Sequence, residues 1–476
     1  MYRKEYTETI FRTGSHTSRK SSVKQHEMAA LREMEQMILA AEAVPAGAEA
    51  LERATAHLEQ FLQQVRQKRI LDEKQRAMEA FRQQFENGYT WRNGFLRNVA
   101  RFGDREALIE PESGTVWTYT QLNAEANRLS HALLRAGLQK GDVVMVQLHN
   151  CPEFVFAYLA CHKTGMVFCP VNFRLSAKEI TDCMDNSRPK VFLLEPETQA
   201  EVDMALRRTA HAPQILLTTD ARAAHAYADF TADCPATEPE LPWELSVYDE
   251  TLRLFTSGTT GRQKSVCLTS INEVLSAHDV MIHFPFSFTD RSMNTTPWFH
   301  RGGLHSGGIT PTLYAGGTVI IQRKFQPEKT LDMVQQYGLT FLIGVPNVLE
   351  LLAEAQQKQP RDLSSLRGIV TMGSPLERAD CIRYQKILTK RIFNGYGTTE
   401  TFWNTFLRPD DLPEMAGSAG RSCVDDDVRV IKVYEDRVAE PDDLAATDGS
   451  EVGEVIIRSN AKSAAFYFGN PAETRR

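Results

Sequence analysis

The sequence predicts an α/β fold, in which mostly parallel sheets are flanked by helices and preceded by a helical extension. Three observations support this prediction. From about residue 89 onward, short apolar strands alternate with helix-like segments, and the turns between them are short. Such alternation requires right-handed crossovers, so the strands run parallel and helices cover both faces of the sheet. Residues 25–88 consist almost entirely of helix formers. Hydrophobic residues at 42% and charged residues at 24% are ordinary globular values, which exclude disorder of the whole chain.

The N-terminal part is predicted to contain a flexible tail, residues 1–24, and a helical hairpin or short coiled coil, residues 25–88, broken once at residues 44–47. Apolar residues recur at helical spacing on both sides of the break, at Met28, Leu31, Met34, Ile38, Leu51, Ala54, Leu58, Phe61, Val65, Leu71, Met78 and Phe85. Two heptads in each phase are marginal for a free-standing coiled coil. Two interpretations therefore stay open. The segment either packs on the main domain or associates with a second copy or another partner.

The main domain is predicted to span residues 89–476. Thr120 is expected to cap its first helix and Gly137 to end it. The elements that follow are a strand at 143–148, a helix after Pro152, a strand at 167–171, a helix from Ser176 and a strand at 191–194. Residues 219–242 are predicted to be irregular and exposed, and a second strand–helix series spans residues 317–394.

Composition excludes several classes of protein. A formal net charge of −7 argues against nucleic acid as a main partner. No apolar stretch approaches the roughly 20 residues of a membrane span, and the polar N-terminus lacks the apolar region of a secretory signal. Its Ser, Thr and Arg content leaves an organellar transit peptide open. Eight cysteines show no Cys-x-x-Cys spacing, which predicts reduced thiols, neither zinc nor disulfides, and a cytoplasmic location.

The most informative stretch is the nonapeptide from Thr256 to Lys264. It places two glycines, four hydroxyl side chains and one lysine between two apolar runs. Glycines let backbone amides approach an anion closely, hydroxyls add donors, and the lysine ammonium adds positive charge. Turns are often rich in the same residues, but the length of this segment favours a polyphosphate cradle. It is not the common P-loop, because Gln263 stands where that pattern requires its second glycine.

The segment instead resembles the phosphate loop of the adenylate-forming superfamily, which includes acyl-CoA synthetases, luciferases and the adenylation domains of peptide synthetases. The usual run there is Thr-Ser-Gly-Thr-Thr-Gly-x-Pro-Lys-Gly, so this chain departs from it at Gln263 and Ser265. These departures free one φ angle and restrict another backbone position, while Lys264 is kept. The resemblance implies that ATP or AMP is bound by Thr256, Ser257, Gly258, Thr259, Thr260, Gly261 and Lys264.

Residues 297–303, Pro-Trp-Phe-His-Arg-Gly-Gly, resemble the segment that lines the acyl pocket of acyl-CoA and aryl-CoA ligases. A histidine beside aromatic residues is usually a packed core residue, but its position in an ordered series of family motifs favours a functional role. The resemblance implies that His300 borders the substrate carboxylate and helps to gate the pocket. The predicted acyl pocket comprises Trp298, His300, Gly302, Gly303 and Trp403. Its bulky tryptophans indicate a short or compact acid.

Two later motifs complete the predicted nucleotide site. The turn Gly373, Ser374 and Pro375 follows a predicted strand at 368–372 and resembles the family's adenine-side turn. Residues 393–400 match the family residue for residue, and their predicted nucleotide-binding residues are Asn394, Gly395, Tyr396, Gly397 and Thr399.

The chemistry of this last motif suits a nucleotide. A tyrosine ring such as Tyr396 offers a stacking face for adenine, and the amide of Asn394 could read its exocyclic amine. The Thr399 hydroxyl can reach the α-phosphate. The Glu400 carboxylate is a hard oxygen ligand suited to Mg²⁺.

The resemblance covers about residues 90–476 and implies the large N-terminal domain only. Residues 453–459 and 466–471 resemble its late structural segment. The chain ends at Arg476, before the aspartate that binds ribose in the family, the hinge, and the small domain with its lysine. The expectation is therefore an incomplete large domain without the C-terminal small domain, whose activity is impaired. A full adenylation rate measured on this chain would contradict that expectation.

The implied function is ATP-dependent activation of a carboxylic acid through an acyl-adenylate, as in an AMP-forming acyl-CoA ligase. ATP, Mg²⁺ and coenzyme A are the implied cofactor and co-substrates, and the implied catalytic residues are Lys264, His300, Thr399 and Glu400. An adenylation domain or luciferase-like enzyme is an alternative within the class. A non-catalytic nucleotide-binding scaffold, or one half of a split synthetase, is the alternative outside it.

Overall fold

The computed structural model describes residues 47–256, 263–460 and 462–475. These described residues divide into two compact units, with the boundary between Gln83 and Gln84. Helix α1 spans Gly47–Gly88, so its first described residue is the last residue of the predicted break at 44–47. The predicted flexible tail and the helix proposed before the break lie outside the described residues.

The first strand–helix series occupies residues 91–269. Its helices are α2 (Trp91–Phe102), α3 (Tyr119–Arg135), α4 (Pro152–Thr164), α5 (Ala177–Ser187), α6 (Gln199–Leu206) and α7 (Tyr227–Thr231), with a 3₁₀ turn at Pro196–Thr198. Its strands are β1 (Glu106–Glu110), β2 (Thr115–Thr118), β3 (Val143–Gln147), β4 (Val167–Pro170), β5 (Val191–Leu194), β6 (Ile215–Thr218), β7 (Glu250–Thr256) and β8 (Lys264–Thr269).

The second series follows to the C-terminus. Its helices are α8 (Ser270–His283), α9 (Arg301–His305), α10 (Ile309–Ala315), α11 (Pro327–Tyr337), α12 (Pro346–Lys358), α13 (Arg378–Ile387) and α14 (Pro471–Arg475), with a 3₁₀ turn at Pro409–Asp411. Its strands are β9 (Arg291–Asn294), β10 (Thr318–Ile320), β11 (Phe341–Gly344), β12 (Gly368–Met372), β13 (Ile392–Thr398), β14 (Phe402–Leu407), β15 (Arg421–Ser422), β16 (Asp426–Lys432) and β17 (Gly453–Ser459).

Within the described residues the strands form three sheets. The largest has the order β15-β14-β13-β12-β11-β9-β10-β1-β2, and the second has the order β6-β5-β3-β4-β7-β8. Pairing is parallel from β13 to β1 in the first sheet and from β6 to β7 in the second, with antiparallel strands added at the edges. Strands β16 and β17 form a separate antiparallel pair. The prediction of mostly parallel sheets flanked by helices is confirmed.

Local sequence signals account for most helix starts, with one exception. The helix predicted from Ser176 is α5, which Ser176 caps, and Glu179 completes a capping box with it. The predicted cap at Thr120 is wrong. Thr118 caps α3 instead, because its hydroxyl accepts the Gln121 backbone N–H while the Gln121 side chain accepts the N–H of Thr118. The irregular segment 219–242 also contains the short helix α7.

The core contains the cysteine side chains. All eight cysteines are free and buried. Strands β3, β4, β5 and β12 are buried along their whole length, as expected for parallel strands covered by helices on both faces. Among the described residues, no helix is long and apolar enough to cross a bilayer.

A polar cluster is buried within this core. Glu273 accepts hydrogen bonds from Tyr158 Oη at 2.7 Å and pairs with His305 Nε2 at 2.6 Å. Burial alone would raise the pKa of Glu273, but His305 lowers it. His162 is 3% exposed, and neither of its ring nitrogens has a hydrogen-bond partner among the described residues. Burial lowers the pKa of His162 to about 4, although Glu273 opposes this shift.

We expect His162 to make the protein acid-sensitive. Between its ordinary pKa of 6.5 and its folded pKa of about 4, the unfolded chain binds a proton that the folded protein does not. The free energy of unfolding should therefore fall as the pH decreases through this window, by about 3 kcal/mol in total. Urea unfolding at about pH 7.5 and about pH 4.5 measures the loss.

The variant His162→Leu removes the titrating group and should flatten this pH dependence, although its lost packing lowers stability at neutral pH. His225 is exposed, so His225→Leu serves as the control and should keep the dependence of the wild type. The same pH dependence in wild type and His162→Leu would contradict the assignment.

Candidate active site

The predicted site segments follow neighbouring parallel strands. Strands β13, β12, β11 and β9 lie side by side, and the carboxyl ends of parallel strands meet at one edge of a sheet. Residues 297–303 come after β9, residues 373–375 after β12, and residues 396–400 at the end of β13. The sheet therefore places three of the predicted motifs at a single edge.

The fourth motif lies between β7 and β8 of the second sheet. Thr256 ends β7 and pairs in register with Lys264, the first residue of β8. The predicted phosphate-binding residues Ser257, Gly258, Thr259, Thr260 and Gly261 lie outside the described residues.

Both departures from the family's phosphate loop contact helix α5. The side chain of Gln263 accepts a hydrogen bond from the Cys183 thiol at 3.2 Å. Ser265 is 1% exposed, and its hydroxyl donates to the side-chain oxygen of Asn186. The start of β8 is therefore anchored to α5 by side chains that a proline and a glycine would not supply.

Lys264 and Glu400 contact the same C-terminal segment. Lys264 Nζ pairs with Glu473 Oε2 at 2.6 Å and lies 5.3 Å from the ring centroid of Tyr467. Tyr467 Oη donates to Glu400 Oε1 at 2.7 Å. Burial and the Glu400 carboxylate both raise the pKa of Tyr467, so the phenol keeps its proton. One tyrosine thus joins the lysine of the phosphate loop to the predicted metal ligand.

The residues predicted on the adenine side differ in exposure. Tyr396 is 40% exposed, and Ser374 and Pro375 are exposed. Gly373 has φ +84°, so glycine is needed for its backbone conformation. Asn394 is 5% exposed, and its Oδ1 has no hydrogen-bond partner among the described residues. A free amide oxygen is the acceptor that an exocyclic amine requires.

The acyl-pocket residues near His300 also differ in their surroundings. His300 is exposed and lies 4.1 Å from the ring of Phe299, centroid to centroid. Desolvation by the surrounding protein lowers the pKa of His300, which favours a neutral imidazole at neutral pH. Trp298 is 1% exposed, and its Nε1 has no hydrogen-bond partner among the described residues.

Three other predicted pocket residues have packing roles. A Cβ at Gly303 would overlap the carbonyl oxygen of Pro297, so this glycine permits a close backbone approach. A Cβ at Gly302 would approach the sulfur of Met372 at 3.2 Å. Trp403 is 3% exposed and lies in an aromatic cluster behind Gly395. Trp403 thus packs against β13, the strand that carries Gly395 and the other predicted nucleotide-binding residues.

Sequence reasoning missed two buried cations at the site. Arg301 is 3% exposed and donates from Nη1 to the Thr399 carbonyl at 2.5 Å. Lys462 is 1% exposed and donates from Nζ to the Trp403 carbonyl at 2.6 Å. Arg301 lies inside the motif 297–303, which the sequence singled out for other residues, and a single cation beside its aromatic residues was the available signal. Lys462 lies between the segments 453–459 and 466–471, and no sequence motif marked it.

Glu400 fits a magnesium ligand. Its carboxylate is half-buried, and the structure gives one of its oxygens a single hydroxyl donor. A second candidate cluster, Asp279, His283 and Cys423, is buried, and its potential ligand atoms lie within 4.8 Å of one another. Lys462 already pairs with Asp279 at 3.0 Å, and Arg408 donates to His283 Nδ1 at 2.5 Å. These protein cations already contact two of the three potential ligands, so the cluster gives no support for a metal.

Fold and site together define an α/β domain in which Lys264 of the predicted phosphate loop and the turn carrying Glu400 contact one tyrosine. The chain belongs to the AMP-binding enzyme family, whose model matches residues 95–467.

Named relatives are similar over most of this chain. An indoleacetate–CoA ligase of Aromatoleum aromaticum is 30% identical over 364 residues, which is 75% of this chain and 69% of the relative. A feruloyl-CoA synthase of Amycolatopsis is 32% identical over 379 residues, which is 78% of this chain and 71% of the relative. The solved structure of a Mycobacterium tuberculosis fatty acyl CoA synthetase matches with a TM-score of 0.71 and 25% identity, covering 82% of this chain and 74% of that one. The predicted membership of the adenylate-forming superfamily is confirmed, while the roles of individual residues stay predictions.

Proposed function

We propose that this protein activates a carboxylic acid with ATP and transfers the acyl group to coenzyme A. In the first step the substrate carboxylate attacks the α-phosphorus of ATP, and acyl-AMP and pyrophosphate form. In the second step the thiol of coenzyme A attacks the acyl carbonyl and AMP leaves. The named relatives are a CoA ligase and a CoA synthase, and the matching family is that of AMP-binding enzymes, which supports an AMP-forming acid–thiol ligase.

One observation carries this proposal. Tyr467 contacts both Lys264 and Glu400, at 5.3 Å and 2.7 Å, although these residues belong to different sheets. A cation suited to phosphates and a carboxylate suited to a metal therefore contact the same tyrosine, one over its ring and the other at its hydroxyl. Both groups are needed to neutralise the charge that moves in phosphoryl transfer.

The residues have distinct proposed roles. Lys264 would bind the phosphates, and the Thr399 hydroxyl would hold the transferring phosphoryl group. Glu400 would hold Mg²⁺, which supplies positive charge to the phosphate oxygens when bound. His300, neutral at neutral pH, would border the substrate carboxylate without adding a second charge.

The acid is proposed to be compact and aromatic. The two relatives named above act, by their names, on indoleacetate and ferulate. In this chain the segment that precedes His300 carries Trp298 and Phe299, both buried. Aromatic rings pack well against planar substrates.

ATP–pyrophosphate exchange with a panel of acids tests this function. We expect exchange with arylacetic or cinnamic acids in the presence of Mg²⁺, and at least about ten times less with palmitate. The negative control is Gly373→Val. It keeps Lys264 and Glu400, but valine cannot readily adopt the positive φ of the predicted adenine-side turn, so exchange should fall. Binding of Mg·ATP without exchange for any acid would contradict catalysis and favour a nucleotide-binding scaffold.

A split synthetase is the remaining alternative. It would show exchange only after a small domain is supplied by another chain. Helix α1 could recruit such a chain or a second copy, since Leu71 and Met78 are exposed and one heptad apart.

Eight buried free thiols suit a reducing compartment such as the cytoplasm.

A further inference from the structure

Two buried cations hold the turn that carries Thr399 and Glu400. This turn joins β13 to β14, and the carbonyl of Thr399 lies near its start and that of Trp403 just after its end. The first carbonyl accepts a hydrogen bond from Arg301 at 2.5 Å, and the second accepts one from Lys462 at 2.6 Å. Each end of the turn is thus bound by a side chain from a different part of the fold.

The backbone of this turn needs such support. Phe402 has φ +64°, a left-handed conformation that is costly for a residue with a bulky side chain. A Cβ at Gly397 would overlap the carbonyl oxygen of Phe402, so the two strands approach unusually closely there. Such conformations persist when surrounding contacts over-determine them, and they concentrate at functional sites.

The two cations are compensated differently. Lys462 pairs with Asp279 at 3.0 Å and with Asp426 at 2.8 Å, and these carboxylates raise its pKa despite burial. Among the described residues, Arg301 has no carboxylate within ion-pair distance. Burial lowers the pKa of Arg301 to about 10, while the charges of Glu273, Glu400 and Asp279 oppose that shift. The guanidinium thus stays charged at neutral pH and contributes positive potential near Glu400.

Arg301 also connects the two cations. Its Nη2 donates to the backbone carbonyl of Lys462 at 2.9 Å and to Ser276 Oγ at 3.2 Å. Its guanidinium lies 5.3 Å from the ring centroid of Phe402. Because Arg301 follows His300 directly, one side chain links the histidine segment, the Thr399–Glu400 turn and the segment before Tyr467.

The geometry points to Arg301 and Lys462 as a positioning pair that sets Thr399 and Glu400 for Mg·ATP. This inference rests on the proposed function. Neither side chain needs to touch ATP. Loss of either cation frees one end of the turn, so the carboxylate and hydroxyl no longer meet the phosphates in one arrangement.

The variants R301M, R301K and K462M test the pair. Calorimetric titration with Mg·ATP reports binding without requiring any acid, and ATP–pyrophosphate exchange separates the KM for Mg·ATP from the KM for the acid. We expect R301M and K462M to weaken Mg·ATP binding by about tenfold or more and to leave the KM for the acid within about twofold. R301K keeps the charge but lacks the planar fork of donors, so its loss should be intermediate.

The matched control is R367M. Arg367 donates to buried Asp290 at 2.7 Å, at the amino ends of the strands and away from the site. The R367M substitution should lower thermal stability without changing the affinity for Mg·ATP. If R301M does not fold, R301K and K462M decide the outcome. Folded variants that bind Mg·ATP like the wild type would overturn the inference, whereas a wild type that binds no Mg·ATP would remove the proposed function itself.

Discussion

Replacing Lys264 with methionine is expected to lower the rate of ATP–pyrophosphate exchange by about 100-fold to 1,000-fold. The side chain of Lys264 is 16% exposed and begins the strand that follows the phosphate loop. Its ammonium pairs with Glu473 at 2.6 Å, so a carboxylate competes with any phosphate for this charge. Methionine keeps the length and apolar stem of lysine but removes the charge that stabilises the transition state.

The pairing with Glu473 provides the matched control. Glu473→Gln removes the competing negative charge and leaves Lys264 intact, so we expect Mg·ATP to bind a few times more tightly. Exchange and Mg·ATP titration should be measured for both variants at the same ionic strength, because salt screens such charges. Unchanged exchange in Lys264→Met would remove the lysine from the mechanism.

The second large effect is expected for Glu400→Gln, which should reduce exchange by about 100-fold and abolish saturation by Mg²⁺ in the millimolar range. An amide is nearly isosteric with the carboxylate and can still accept the hydrogen bond from Tyr467 Oη. The fold should therefore be kept, while the hard anionic oxygen that Mg²⁺ prefers is lost. Exchange rates measured across a series of Mg²⁺ concentrations give both quantities.

Tyr467→Phe separates the carboxylate from its hydrogen bond. The ring stays beside Lys264, and Glu400 loses only one donor. We expect the exchange rate to change by about threefold or less. The dependence of that rate on the Mg²⁺ concentration should stay as in the wild type. If Glu400→Gln kept the Mg²⁺ dependence of the wild type, the metal would have to be held by other residues.

Local pattern predicted the regular elements well where strands are apolar throughout. The predicted strands at 191–194 and 368–372 coincide with β5 and β12. The first is a continuous hydrophobic run and the second contains one polar residue, Thr371, and short, mainly apolar runs of this kind are the pattern of a strand buried on both faces. The cap of α3 was misplaced by two residues, because Thr118 and Thr120 offer the same hydroxyl and the choice depends on the reciprocal bond with Gln121.

By itself, the sequence determined the α/β class, the superfamily and the order of the site motifs, because hydrophobic periodicity and short contiguous motifs are local properties. Only the tertiary structure decided which groups meet. Lys264 and Glu473 are 209 residues apart, and Arg301 and Lys462 are 161 residues apart. Packing of whole sheets and helices brings such groups within hydrogen-bond distance, and no local pattern encodes those pairings.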